Sequence, residues 1–415
     1  MRRTTTLIIG AGQAGLAMSH HLSARSIDHV LIERGEVANS WRTERWDSLR
    51  LLTPNWQSRL PGHVYAGDAP HGFATMAETI GMLAGYAQTI AAPVEARTNV
   101  TAVERRDGGY LVRTDRGDWT CRTLVMASGA CNVASRPRWA GTLDPTIQAM
   151  TPMDYRNPDQ LAPGGVLVVG ASASGVQIAR ELQFAGRQVT LAVGEHVRVP
   201  RSYRGADIQW WMESCGILDR RIEDVDDVVR ARSVPSLQLI GSEPRETIDL
   251  NSLQAIGVTI TGRAMAASDA VIQFSGGLAN VCALADLKMN RLLDEIDSAL
   301  ELTGRGEAVE PPQRFAPTAV PAEPALTLDL RKAGVGTVIW ATGYHPDYSW
   351  LRVPVLTPRG ALRHDRGVVE SPGLYALGLP FLRTRKSNLI DGVGADAEAL
   401  AAHLCRFLTR GALAA

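Results

Sequence analysis

Two glycine-rich segments with the spacing of dinucleotide-binding loops lie far apart in one chain. The first reads Gly10-Ala11-Gly12-Gln13-Ala14-Gly15 and the second Gly170-Ala171-Ser172-Ala173-Ser174-Gly175. Each follows an apolar run typical of a buried strand and precedes an amphipathic pattern typical of a helix. A glycine pattern alone is a weak signal, but a strand before it and a helix after it give it physical meaning. The sequence therefore predicts two βαβ units and two nucleotide sites.

The first loop has the features that a dinucleotide requires. Gly10 allows a tight turn, Gly12 lets the backbone approach a pyrophosphate, and Gly15 lets the helix and strand pack closely. The helix that follows points its N-terminus at the anion. The next strand ends at Glu33, about 20 residues further on, where a carboxylate can bind ribose hydroxyls. The alternative is an ordinary turn whose glycines serve geometry alone.

The second loop differs from the first in ways that bear on its ligand. Ser172 replaces the middle glycine and slightly crowds the approach of a pyrophosphate. No acid ends the next strand, and Arg198 and Arg201 follow where a 2′-phosphate would lie. We therefore expect NADPH rather than NADH, although Glu195 can still bind a ribose. Arg204 is a further candidate for a phosphate or nicotinamide contact, and the alternative for these arginines is a solvated surface.

Composition narrows the function classes. The 43 acidic residues balance the 43 basic ones, which argues against a nucleic-acid surface or a polybasic membrane patch. The five cysteines form no CxxC pair, and no metal-ligand spacing is present. The apolar runs are shorter than the roughly 20 residues that span a bilayer, and a strand begins where a secretory signal would lie. We expect a cytoplasmic protein that binds small molecules, and a homo-oligomer is compatible with the sequence.

The order of the predicted elements places the second unit inside the first. A short β-meander with glycine turns follows the first unit and leads back to its sheet. A proline-rich stretch, 310–324, separates the second unit from a late strand and a final helix over 391–407. The predicted fold class is α/β, with two Rossmann-like dinucleotide-binding domains, the second inserted into a discontinuous first. The predicted boundaries are 1–155 and 326–415 for the first domain and 156–325 for the inserted domain.

The chain resembles the class B flavoprotein monooxygenases, the group of flavin-containing monooxygenases and bacterial YUCCA-like enzymes. The resemblance covers nearly the whole chain, and the ordered set of motifs is more specific than any one of them. Besides the two loops, it is carried by Trp41-Arg42, the blocks 46–54, 154–158 and 203–208, and Ala341-Thr342-Gly343-Tyr344.

This resemblance implies that the first domain binds FAD and the inserted domain binds NADPH. It further implies that the reduced flavin forms a C4a-(hydro)peroxyflavin and oxygenates a small organic substrate. The reaction types implied are N- or S-oxygenation, oxidative decarboxylation of a 2-oxo acid, or Baeyer–Villiger oxidation, with dioxygen as co-substrate. The predicted cofactor contacts are Gly10, Gly12, Gln13, Ala14, Gly15, Glu33, Arg34, Ser40, Trp41, Arg42, Gly129, Gly170, Ser172, Ala173, Ser174, Gly175, Arg198, Arg201, Arg204, Ala341, Thr342, Gly343, Asn388 and Leu389.

Two positions depart from the pattern of these enzymes. Thr151 stands where a linker histidine is expected, although Tyr155 keeps the aromatic end of that signature. Leu52 replaces a polar residue near the flavin, and Asn55 is a weak candidate for a catalytic group in its place. Two alternative functions therefore stay open, an FAD-dependent NADPH reductase that passes electrons to another acceptor and a non-catalytic redox sensor.

Overall fold

Two open sheets, each built around one glycine loop, form the fold of this computed structural model. The structure describes residues 1–413, and side chains as far as residue 410. The helices are α1 (Gln13–Ser23), α2 (Asn39–Thr43), α3 (Met76–Thr89), α4 (Ala173–Phe184), α5 (Ile208–Ser214), α6 (Val228–Arg232), α7 (Leu250–Ala255), α8 (Leu278–Leu302) and α9 (Val393–Leu413). The strands are β1 (Arg2–Ile9), β2 (His29–Ile32), β3 (Val94–Glu95), β4 (Val100–Arg106), β5 (Gly109–Thr114), β6 (Trp119–Met126), β7 (Val133–Ala134), β8 (Gln148–Met150), β9 (Gly165–Val169), β10 (Val189–Ala192), β11 (Ser202–Tyr203), β12 (Ala206–Asp207), β13 (Thr259–Thr261), β14 (Ala264–Ser268), β15 (Val271–Phe274), β16 (Thr327–Asp329), β17 (Val335–Trp340), β18 (Tyr344–His345), β19 (His364–Asp365), β20 (Val368–Val369) and β21 (Leu374–Ala376).

The first sheet has the strand order β19-β20-β21-β6-β1-β2-β3. Strands β21, β6, β1, β2 and β3 are parallel, and the predicted meander is present as β4 and β5 joined antiparallel to β6. Leu7 and Ile8 on β1 are fully buried because a central parallel strand is covered on both faces. Helices α1 and α9 pack together beside this sheet.

The second sheet is entirely parallel, in the order β13-β10-β9-β17-β8. Alternate residues of β9 face opposite sides, so Val166 and Val168 share a core with α4 while Leu167 and Val169 share another with β15 and β16. The α/β prediction of two Rossmann-like domains is confirmed. Within residues 1–413, no helix combines the length and the apolar character needed to cross a bilayer.

The strand pairing moves both predicted domain boundaries. β8 and β17 were assigned by sequence to the first domain, but Ile339 on β17 pairs with Met150 on β8, and Val338 pairs with Leu167 on β9. The second domain therefore runs from β8 to β17, and the boundaries predicted at 155 and 325 fall inside it. The chain crosses between the domains through the antiparallel pair β7 and β18, in which Tyr344 lies opposite Ala134.

Candidate active site

One large cavity is lined by residues of both domains and reaches both glycine loops. Its volume is about 840 Å³, within the range of pockets that enclose cofactors. Most of the residues predicted to contact cofactors in the first domain line it, whereas only two of those predicted in the second loop do. The predicted residues found there are Gly10, Gly12, Gln13, Ala14, Glu33, Arg34, Ser40, Trp41, Gly129, Ala173, Ser174, Asn388 and Leu389.

The first loop divides its glycines between folding and binding. Gly10 has φ +105°, and a Cβ there would lie 2.5 Å from the carbonyl oxygen of Ala127. A Cβ on Gly15 would lie 1.9 Å from the carbonyl oxygen of Gly10, so the fold itself requires both glycines. At Gly12 a Cβ would meet nothing within 4 Å. Gly12 also caps α1 without a side-chain hydrogen bond, which leaves the first helical N–H groups for an anion.

The second loop repeats this geometry and gives a different role to a predicted motif. A Cβ on Gly170 would lie 2.2 Å from the carbonyl oxygen of Ala341, and one on Gly175 would lie 1.8 Å from that of Gly170. Ala341 thus corresponds to Ala127 of the first domain. The segment Ala341-Thr342-Gly343 follows β17 and supports the second loop from behind, and it does not line the cavity. Its Thr342 hydroxyl donates to the carbonyl oxygen of Ser135.

Glu33 is fixed at one end of the cavity. Its side chain is buried, and its Oε2 accepts a hydrogen bond of 2.9 Å from the N–H of Ala11. Its Oε1 accepts a longer one, 3.1 Å, from the N–H of Gly35. Each carboxylate oxygen has a further lone pair, so the group can also accept hydrogen bonds from a diol. The carboxylate is therefore held next to the first glycine loop, as the sequence predicts.

Another part of the cavity wall, here called the far end, carries a charged cluster that the sequence did not reveal. Gln57 lines it, and its Nε2 donates to Oε2 of Glu213 at 3.4 Å. Arg59 forms ion pairs with Glu213 and with Asp391, which also lines the cavity. Burial opposes the charge of Arg59, but its hydrogen bonds to the two carboxylates outweigh burial and raise its pKa. Lys386 lies 3.5 Å from Asp391 on the other side.

Comparison with known proteins identifies the family. Residues 7–285 match the family described as pyridine nucleotide-disulphide oxidoreductase. The chain belongs to that family. An uncharacterized CzcO-like oxidoreductase of Geobacillus kaustophilus is 33% identical over 398 residues, which is 95% of this chain and 96% of the relative. The indole-3-pyruvate monooxygenase YUCCA1 of Oryza sativa subsp. japonica is 31% identical over 207 residues, 48% of this chain and 50% of that enzyme.

The fold of this chain is also found in a solved monooxygenase structure. A flavin-containing monooxygenase from Stenotrophomonas maltophilia superimposes with a TM-score of 0.68 at 19% identity, covering 98% of this chain and all of that one. The predicted resemblance to class B flavoprotein monooxygenases is confirmed, and so is the prediction of an oxidoreductase. The predicted cofactors, FAD and NADPH, agree with the pyridine nucleotide in the family description and with the FAD and NADP bound in a solved structure of the same fold, that of OTEMO.

In this oxidoreductase, the three arginines predicted to bind a phosphate are buried structural residues. Arg198 donates to Asp249 and, at 2.7 Å, to Asp286. Arg201 is fully buried and donates to Asp207 at 2.8 Å. None of the three lines the cavity. The structure thus places these guanidinium groups in buried pairs within the second domain and outside the cavity, so their contact with NADPH stays a prediction.

Arg204, the third of them, holds the proline-rich segment to α8. It donates to Asp297 at 2.9 Å and to the carbonyl oxygen of Glu310 at 2.7 Å. Tyr203 donates to the same carboxylate at 2.7 Å. Burial raises the pKa of Tyr203 to about 12, and the hydrogen bond to Asp297 acts in the same direction. As predicted, 310–324 has no regular secondary structure, and this network secures one end of it.

Cations other than these three arginines lie around the end of β10 in the second domain. Lys288 donates to Glu195 at 2.8 Å, and that hydrogen bond is the largest cause of the lowered pKa of Glu195. Arg230 lowers the same pKa through its charge. Arg263 is exposed, and its side chain lies next to Gly194: a Cβ added to Gly194 would lie 3.8 Å from the Cγ of Arg263. Among the described residues, Arg263 forms no ion pair.

Several other predicted contacts lie outside the cavity. Arg34 is the exception, since it lines the cavity and pairs there with Glu44. Arg42 donates its Nε hydrogen to the carbonyl oxygen of Val37 and does not line the cavity. Asn55 is buried behind the wall, where its Nδ2 donates to the carbonyl oxygen of Ala69 at 2.9 Å. Gln57, two residues further on, faces the cavity instead. The remaining second-loop residues, Ser172, Gly170 and Gly175, shape the loop from behind its lining residues.

The linker departure also has a structural explanation in this family member. The Thr151 hydroxyl donates to Asp154 at 2.8 Å and closes a turn. Tyr155 is fully buried and donates to Glu181 of α4 at 2.6 Å. These residues therefore fasten the entry to the second domain and do not face the cavity. Within residues 1–413, no group of His, Cys, Asp or Glu is arranged to hold a metal ion.

Proposed function

We propose that this chain is an FAD-dependent monooxygenase that uses NADPH to oxygenate a small organic substrate with dioxygen. The observation that carries the proposal is the single cavity that joins the two glycine loops. A hydride can pass between two nucleotides only when their reactive rings meet in one water-poor space. The two loops open into the same space, so two nucleotides bound at them would converge.

The residues at the first loop fit FAD. The open space in front of Gly12 and the uncapped start of α1 suit a pyrophosphate, and Glu33 suits the adenosine ribose. With the pyrophosphate and the adenosine ribose of FAD held in this way, the flavin ring would extend toward Gln57 and Asp391. When bound, FAD supplies the acceptor for the nicotinamide hydride and the centre at which dioxygen is activated.

The protein groups at the far end would orient the flavin ring and polarise it. Within the described residues, the backbone N–H groups of Ile390 and Asp391 have no protein acceptor. They lie directly before α9, whose N-terminus favours negative charge. The Oε1 of Gln57 is likewise without a hydrogen-bond partner among the described residues. Such unpaired buried groups are costly unless a ligand satisfies them.

The second loop would hold the NADPH pyrophosphate at the start of α4, whose cap Ser172 makes no side-chain hydrogen bond. In a fold of this kind the 2′-phosphate lies beyond the strand that follows the loop. Lys288, Arg230 and Arg263 gather there around the end of β10. These cations take over the role that the sequence assigned to Arg198, Arg201 and Arg204.

The wall between the two nucleotide positions supports a small organic substrate. Leu49, Leu51 and Leu52 line it, so the reacting centre is shielded from water on that side. Gln57 and Thr53 supply the polar groups among these leucines. A cavity with apolar walls and few polar groups binds small, largely apolar molecules and fixes their orientation by hydrogen bonds.

Anaerobic reduction followed by mixing with oxygen tests the proposal. FAD-loaded protein is first reduced with NADPH under anaerobic conditions, and the flavin absorbance is then followed after mixing with oxygenated buffer. A transient absorbance distinct from both oxidised and reduced flavin is expected for a monooxygenase. Direct return of the oxidised spectrum without such a transient would contradict the proposal, and so would failure of NADPH to bleach the flavin.

A reductase is the second candidate, because the family description includes disulphide oxidoreductases. Disulphide reduction through a protein dithiol requires two neighbouring cysteines. All the cysteines of the described chain are free, and Cys131 alone lines the cavity. This arrangement favours oxygenation over thiol exchange. Bleaching by NADPH with direct reoxidation would support a reductase, and no bleaching at all would support a redox sensor.

A further inference from the structure

A chain of charged contacts links the second domain to the far end of the cavity. It begins at Glu213 on α5 of the second domain, passes through Arg59 of the first domain and ends at the cavity-lining carboxylate of Asp391. Glu213 also accepts a hydrogen bond from Gln57, which lines the same end. Two cavity-lining groups from separate segments are therefore tied to one residue of the opposite domain.

Arg59 is held at the centre of this chain. Its guanidinium lies over the ring of Trp56, 5.6 Å from the ring centroid, in addition to its two carboxylate partners. The Asp391 side chain is only 7% exposed, whereas that of Arg59 is 36% exposed. A carboxylate so deeply buried needs a compensating cation, and removal of one partner of such a pair leaves the other unpaired at high cost. Arg59 supplies that cation.

We propose that Arg59 is a positioning residue that neutralises Asp391 beside the flavin ring and makes this neutralisation depend on contact with Glu213. The inference rests on the proposed function, because it requires FAD to lie with its ring toward Asp391. Reduction adds negative charge to the ring, and an uncompensated carboxylate nearby opposes it. The Glu213 contact competes for the same guanidinium, so the position of the second domain adjusts how fully Asp391 is neutralised.

Lys386 limits the size of the effect. It lies 3.5 Å from Asp391 but only 2.9 Å from Asp219, a residue of the second domain. Burial opposes the charge of Lys386, yet the hydrogen bond to Asp219 and the nearby carboxylates leave its pKa raised. Loss of Arg59 therefore weakens the compensation of Asp391 without abolishing it. Lys386, like Arg59, thus pairs both with Asp391 and with a carboxylate of the second domain.

The test is the midpoint potential of bound FAD, measured without oxygen or substrate by equilibration with a reference dye. Arg59→Met should lower the ratio of reduced to oxidised flavin about tenfold at a fixed potential, equivalent to ~30 mV for a two-electron couple. Asp391→Asn should raise the ratio, and the double variant should return close to wild type. Glu213→Gln should raise the ratio of reduced to oxidised flavin by less than Asp391→Asn does, because Arg59 then pairs with Asp391 alone.

Arg113→Met is the matched control, since Arg113 pairs with Glu104 in the meander and its side chain does not line the cavity. If its potential equals that of wild type while Arg59→Met is shifted, the proposal is supported. Equal potentials for wild type and Arg59→Met would overturn it, as would a double variant whose potential stays as low as that of Arg59→Met. Should Arg59→Met not fold in a thermal melt, Arg59→Lys and Glu213→Gln carry the comparison. If the wild-type protein binds no FAD, the proposed function itself fails. If it binds FAD but Arg59→Met leaves the potential unchanged, only the proposal for Arg59 fails.

Discussion

The guanidinium of Arg198 donates two hydrogen bonds to a single oxygen of Asp249, at 2.9 and 2.6 Å. Both side chains are almost fully buried, and a third donor of Arg198 reaches Asp286 on α8. This contact joins the loop after β10 to α7 and α8 inside the second domain. Arg198, which the sequence predicts to contact NADPH, thus holds together elements inside the second domain.

Arg198→Ala is expected to destabilise the protein and to leave coenzyme preference unchanged. The substitution leaves Asp249 and Asp286 unpaired in the interior, which costs about 3–5 kcal/mol for a buried pair of this kind. Urea denaturation measures the loss, and the ratio of kcat/KM for NADPH and NADH measures the preference. The control is Arg113→Ala, which breaks an exposed pair worth about 0–1 kcal/mol. A large fall in NADPH preference with unchanged stability would restore the original assignment of Arg198.

Lys288→Ala and Arg263→Ala are expected to weaken NADPH binding and to spare NADH. Each removes a cation next to the predicted position of the 2′-phosphate, and a charge-assisted hydrogen bond contributes about 1.5–3 kcal/mol. The KM for NADPH should rise about tenfold or more per substitution, by the same energy scale, and high salt should reduce the difference. Lys332→Ala, which breaks an exposed pair with Asp329, serves as the control. Equal effects on both coenzymes would count against this site.

Gly12→Ala and Gly15→Ala are expected to fail in different ways. The added Cβ at Gly12 meets no protein atom within 4 Å, so the variant should fold and melt near the wild-type temperature but lose FAD affinity. The Cβ at Gly15 would lie 1.9 Å from the Gly10 carbonyl oxygen, so this variant should not fold properly. Circular dichroism and FAD titration distinguish the two. A Gly12→Ala protein with normal FAD affinity would refute the assigned pyrophosphate position.

Asp396→Asn is expected to stabilise the protein at neutral pH but not at acidic pH. Asp396 is buried in the first turn of α9 and its Oδ2 has no partner within the described residues. Burial raises its pKa to about 6, against hydrogen bonding from Ser387 and the charge of Arg383. The folded state therefore binds this proton more tightly than the unfolded state, so the group's contribution to stability falls as pH rises from about 4 to about 6.

The variant removes that loss and should be about 2–3 kcal/mol more stable than wild type at pH 8, since one pKa unit corresponds to about 1.4 kcal/mol. At pH 4 the two proteins should have nearly equal free energies of unfolding. Thermal melts across this range check the prediction. A difference between them that does not change with pH would show that Asp396 does not titrate as stated.

The sequence predicted the local units well because their causes are local. A strand, a tight glycine turn and a helix follow one another within a few residues around Gly10 and again around Gly170, so the pattern alone indicates each unit. Glu33 was found for the same reason. The meander was predicted from its glycine turns, which fix hairpins at short range.

What the sequence did not show depends on partners distant in the chain. Arg198 lies 88 residues from Asp286, and no spacing rule indicates whether a guanidinium meets a ligand or such a carboxylate. The buried strand β17 has the same apolar character as one of the first sheet, so hydropathy does not tell which sheet it joins. Gln57 carries no motif, and only the fold brings it to the cavity together with Asp391.

The pairing of β7 with β18 makes the two crossings between the domains neighbours in space. Ala134 on the outgoing strand lies opposite Tyr344 on the returning one, so more than 200 residues leave and re-enter the first domain through one narrow ribbon. An inserted body attached in this way can be removed or exchanged without separating the ends it leaves behind. Replacement of the segment between these strands would therefore leave the two parts of the first domain ending at neighbouring points.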